Sequence, residues 1–121
     1  MYKVFVDKGF VNKDKFWKKI NENSDCELVI YDGFSDLIMK LEAEGKTIIY
    51  LYDYCTNNDC YEKARVLKGK FPNSVINIVE NGITVNTKHL SRIGVNALIK
   101  ANNTKVIIEN FEQSKHLVET Y

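Results

Sequence analysis

In 121 residues, 45% hydrophobic and 27% charged, there is apolar material for one well-packed core but not for two. A net charge of +1 removes any general electrostatic case for binding nucleic acid or an anionic membrane. No apolar run approaches the roughly 18 residues of a membrane span, and the N-terminus has no signal-peptide pattern.

Residues 2–6 form the first predicted strand, in which Val4, Phe5 and Val6 lead out onto Asp7. Phe16 and Ile20, with Trp17 beside them, mark a first helix. A second strand is expected over 27–31. Phe34, Leu37, Ile38 and Leu41 then fall at i, i+3, i+4 and i+7, one face of a second helix. The apolar run 47–52 makes a third strand that ends on Asp53, and the polar loop 54–59 follows it. Cys60, Ala64, Leu67 and Phe71 repeat the helical spacing, and Pro72 closes that segment. A fourth strand is expected over 74–79. Asn86 is placed to cap a fourth helix ending at Gly94, with Leu90 and Ile93 inward. The fifth strand, 96–99, runs out onto Lys100. Asn103 or Thr104 caps the last helix, with Ile107, Ile108, Phe111 and Val118 pointing inward.

The strands are dense in Val, Ile and Tyr without polar alternation, as strands buried on both faces of a parallel sheet are. Strict alternation with helices predicts an α/β fold: a five-stranded parallel sheet of order 2-1-3-4-5, a doubly wound, flavodoxin-like (βα)5 topology in a single domain, 1–121. In such a sheet Asp7, Asp53 and Lys100 leave their strands at the same end, where open α/β sheets place their chemistry. Two carboxylates facing a lysine are the minimum equipment for accepting a phosphoryl group beside a divalent metal.

Other reactive residues point nowhere in particular. Cys26, Cys55 and Cys60 are an odd set, read as reduced thiols of a cytoplasmic protein. Cys55 and Cys60 lie close together, but no further His or Cys completes a four-ligand metal site. His89 and His116 are read as surface or satisfied residues.

The element order, the spacing of Asp7, Asp53 and Lys100, the run Tyr50-Leu51-Tyr52-Asp53 and the segment Gly94–Lys100 followed by Asn102-Asn103-Thr104 resemble the receiver domain of bacterial response regulators (CheY-like), over essentially the whole chain. The resemblance implies that Asp53 is the phosphoacceptor for a histidine kinase. It likewise implies that Asp7, Asp53 and the backbone carbonyl of Cys55 hold Mg²⁺, and that Lys100 bonds a phosphoryl oxygen. It departs from the family at four places. Lys8 stands where a second acid follows the first strand. Val79 aligns with the hydroxyl residue that ends strand four, Ala97 with the aromatic switch of strand five, and Ala101 with a proline. If Lys8 points inward, its ammonium cancels one charge of the metal site and weakens Mg²⁺ binding, or removes it. Without the hydroxyl and the ring the usual switch is lost; Glu80 and Thr84 lie nearby and could substitute, but nothing in the sequence shows that they do.

The expected function is therefore an atypical or pseudo-receiver. It would be a regulatory interaction or dimerisation module in signal transduction, not an enzyme, contacting a protein partner or a second copy of itself. The expected surface is the face of the fourth helix, fifth strand and fifth helix, with Lys88, Arg92, Lys105 and Glu109 exposed. The alternative is a working receiver phosphorylated on Asp53. A small Mg²⁺-dependent phosphatase of the haloacid-dehalogenase type is a minor one, because Gly9 stands where that chemistry needs a second Asp. Flavin binding lacks its phosphate-cradling loop, since residues 7–12 are Asp-Lys-Gly-Phe-Val-Asn.

Overall fold

The computed structural model describes residues 2–11, 17, 25–41, 46–53, 59–80, 94–100 and 103–120. The strands are β1 (Tyr2–Asp7), β2 (Cys26–Tyr31), β3 (Lys46–Asp53), β4 (Val75–Glu80) and β5 (Val95–Lys100). The helices are α1 (Lys8–Val11), α2 (Phe34–Lys40), α3 (Asp59–Lys70) and α4 (Thr104–Glu119). All strand pairs are parallel and the order is β2-β1-β3-β4-β5, as the alternation of elements predicts. The predicted fourth helix, with Asn86, Lys88, His89, Leu90, Arg92 and Ile93, lies outside the described residues, as do Phe16, Ile20, Thr84, Ala101 and Asn102.

Because side chains alternate across a strand, the sheet carries a core on each face. One holds Val4, Val6, Ile48, Tyr50, Val79 and Ile99 against Phe10, Trp17, Ile107 and Phe111. Trp17 meets Phe10 and Tyr50 edge-on, with ring centroids 5.0 and 4.8 Å apart. The other packs Phe5, Ile49, Leu51, Ile76 and Ile78 against Leu37, Ala64 and Leu67. Tyr31 belongs to this second layer, and its hydroxyl donates to the Tyr50 carbonyl at 2.7 Å.

Local signals in the chain set where the helices start. Asn103 accepts the Val106 N–H at 3.2 Å, the side-chain cap expected for α4. Gly33 precedes α2 at φ +86° and Gly94 precedes β5 at φ +89°, a region that costs other residues steric strain. A Cβ at Gly94 would also meet the Lys68 stem at 3.0 Å. Lys68 is held there because its ammonium donates to the carbonyls of Pro72 and Ser74.

Two expectations are corrected. Ile108 is 42% exposed, because the inward stripe of α4 runs Ile107, Asn110, Phe111, Ser114 and Val118. Strand four ends on Glu80 rather than Val79, which is wholly buried against the Ile99 layer. On β2, an outer strand among those described, Lys40 Nζ donates to the Ile30 carbonyl at 3.0 Å.

Candidate functional site

Parallel register brings the expected site residues to one end of the sheet. Asp7 is the last residue of β1, Asp53 of β3 and Lys100 of β5. Asp53 pairs with Glu80, and Glu80 pairs with Lys100. Three adjacent strands thus end level on an acid, an acid and a base, with Glu80 in the middle. Neighbouring strands lie about 4.8 Å apart, so Lys100 is one strand spacing from Glu80 and two from Asp53. For Asp53, Glu80 and Lys100 the description covers the backbone; Cys55 and its carbonyl lie outside the described residues, as do Tyr54 and residues 56–58.

Asp7 works locally as well. Its Oδ1 accepts the Gly9 N–H at 2.7 Å, capping the short turn of α1. Lys8 does not point between the acids. Its ammonium lies 3.9 Å from Asp32 Oδ2 and its side chain is 68% exposed, a pairing with the exit of β2. Of the two orientations open to Lys8, it takes the outward one: a flexible ammonium is better solvated at the rim than buried. Asp32 belongs to a small polar cap, in which its N–H donates to Asp36 Oδ2 at 2.8 Å and Lys40 pairs with Asp36 at 2.9 Å. That backbone hydrogen bond, and then Lys40, hold the Asp36 carboxyl below the usual carboxylate range.

Of the switch positions, Val79 is buried and has no hydroxyl, and Ala97 packs as a small residue against the first core. Beneath them is a polar group that sequence reasoning missed. Tyr50 Oη donates to Asn110 Oδ1 at 2.8 Å, Asn110 Nδ2 to Asn77 Oδ1 at 3.1 Å, and Asn77 Nδ2 to Ser114 Oγ at 3.1 Å. Burial pushes the Tyr50 hydroxyl far above its ordinary pKa, and the nearby Ser114 hydroxyl offsets only part of that. An asparagine at the centre of an apolar strand was the available signal, because a buried amide must find partners.

The remaining reactive groups are quiet. Cys26 is a buried free thiol whose Sγ lies 3.3 Å from Asp25 Oδ1; burial, then that carboxylate, push it up to about 11. Cys55 and the Cys60 side chain lie outside the described residues. His116 is exposed, as expected. At the opposite end of the sheet Tyr2 hydrogen-bonds Glu119, which also pairs with Lys46 at 2.7 Å. A cleft of about 310 Å³ opens there, and its own ion pairs neutralise it.

No protein-family model matches the sequence, and neither does any curated protein. Solved structures do. A CheY-like response regulator receiver domain protein from Methanospirillum hungatei superposes with a TM-score of 0.72 at 12% identity, over 99% of this chain and 98% of that one. The response regulator StyR matches with a TM-score of 0.74 at 13% identity, over 98% of this chain and 61% of that one. A protein described as an adenylate cyclase from Rhodopirellula baltica matches with a TM-score of 0.72 at 12% identity, over 98% and 90%. Strand order, parallel pairing and these superpositions agree that the chain has the fold of a response-regulator receiver domain.

Proposed function

We propose that the chain is an atypical receiver that acts in signal transduction through protein contacts and without the usual phosphorylation cycle. The row Asp53–Glu80–Lys100 carries this reading. A phosphoryl group on Asp53 needs cationic neighbours for its oxygens, and here an acid stands between the acceptor and the lysine. By strand order Lys100 is next to Glu80 and not to Asp53, which supports a site that does not clamp added negative charge at the acceptor. The buried Val79 and the small Ala97 add nothing that would relay a phosphoryl signal. Contacts would then be made by the exposed side of α4, where Lys105, Ile108 and Glu109 face outward.

A second reading, a receiver phosphorylated on Asp53 by a histidine kinase, is favoured by one observation: Lys8 is turned to Asp32. Mg²⁺ takes one or two carboxylates with water and phosphoryl oxygens. Asp7 and Asp53 as strand-end acids fit that set, and the metal would supply charge neutralisation at the acceptor.

The test is intact mass after incubation with acetyl phosphate and Mg²⁺, beside Asp53→Asn. An unchanged mass in the folded protein is expected. A gain of one phosphoryl group that Asp53→Asn abolishes establishes the second reading instead.

A further inference from the structure

The hydrogen bonds among Tyr50, Asn110, Asn77 and Ser114 run head to tail in one continuous chain, from β3 to α4, on to β4 and back to α4. Two members sit on neighbouring strands, β3 and β4, and two lie one turn apart on α4. Asn77 and Ser114 are fully buried, Asn110 is nearly so, and Tyr50 lies wholly within the core. A fifth amide joins from β5. The register slips between Ile76, paired with Val95, and Asn77, paired with Ala97, so Asn96 is an extra residue in β5. Such a bulge re-aims a side chain, and Asn96 Nδ2 donates to Asn77 Oδ1 at 2.9 Å.

An apolar helix–sheet contact tolerates sliding, because one methyl group replaces another. This one does not. A small shift of α4 along the sheet breaks bonds at Asn110 and Ser114 together and leaves four buried polar groups unsatisfied, whereas Ile107, Phe111 and Val118 would repack. The switching movement of a signalling domain needs a second arrangement of comparable energy, and this network offers none.

We infer that the Tyr50–Asn110–Asn77–Ser114 network, tied to β5 by Asn96, locks β3, β4, β5 and α4 into one rigid body, so that α4 presents its outer face constitutively. This rests on the reading of α4 as a contact surface. It adds how that surface is regulated: by being fixed.

Amide hydrogen exchange on the full chain tests the lock, with Ser114→Ala removing the network's second anchor on α4, Asn96→Ala cutting only its tie to β5, and Ile107→Val removing an apolar contact of the same helix. In the wild type, α4 and β5 amides exchange together with those of β1 and β3. Ser114→Ala speeds exchange in α4 by about tenfold or more relative to β1, the signature of a newly independent opening unit. Asn96→Ala does the same in β5 alone and guards against a Ser114 variant that fails to fold. Ile107→Val lowers protection evenly. The lock is overturned if α4 already exchanges well ahead of β1 in the wild type, or if the Ser114 and Asn96 variants lower protection as evenly as Ile107→Val. Phosphoryl transfer plays no part in this experiment, so its failure leaves the reading of Asp53 standing. Conversely, a phosphorylated Asp53 overturns that reading without changing the exchange pattern.

Discussion

Asn77 makes three side-chain hydrogen bonds, to Asn96, Asn110 and Ser114, inside a strand whose other buried positions are valine and isoleucine. Truncating it strands buried donors and acceptors on three other residues, and each unsatisfied group costs about 1–3 kcal/mol. Asn77→Ala should therefore destabilise by about 3 kcal/mol or more. Asn96→Ala, at a half-exposed position with one bond, should cost about 1 kcal/mol; urea denaturation of the two variants measures the contrast. Cys26 makes the opposite point, because a thiol raised to about 11 holds almost no thiolate at pH 8. Peptide mapping after iodoacetamide treatment of the native protein should find Cys26 unmodified, and modified once urea is added.

At the level of elements, apolar density and helical spacing read the architecture well. All five strands, their order and the Asn103 cap follow from local patterns. The cap is tested by Asn103→Ala, which should cost about 1 kcal/mol in thermal or urea unfolding. Ile108 was misread because periodicity alone does not separate two adjacent isoleucines; the inward stripe needs the polar Asn110 and Ser114 counted as buried. The end of β4 was misread by one residue because Val79 continues the apolar run while Glu80, a polar residue, still pairs on both sides. Asp7, Asp53 and Lys100 were legible as strand exits because topology alone carries strand ends to one edge. The neighbours of those residues were not. Lys8 turning to Asp32, and Glu80 standing between Asp53 and Lys100, depend on pairing between residues far apart in sequence, which no single-strand pattern encodes.

For the molecule as a whole, charge sets a pH window. Glu119 and Asp36 are held below the ordinary carboxylate range, by Lys46 and then Tyr2 in the first case and by the Asp32 N–H and then Lys40 in the second. Their stabilisation is present above the unfolded value of about 4 and is lost as pH falls through their lower folded values. Cys26 and Tyr2 shift the other way, to about 11 and about 12, the first through burial and the second mainly through Glu119. Their contribution is complete below the ordinary thiol and phenol values and fades as pH rises through the folded ones. Tm plotted against pH should be flat from about 5 to 9 and fall on both sides, with Glu119→Gln flattening the acid limb. The flank of the sheet carries a different consequence. An outer strand is a template on which a second chain can polymerise, and a lysine is among the commonest guards against it. Lys40, seated on the Ile30 carbonyl beside an 84%-exposed Met39, stands where an incoming strand would dock. Neutralising that single ammonium, by acetylation or by Lys40→Met, should leave the monomer's fold intact and convert a dispersed protein into one that scatters light on standing.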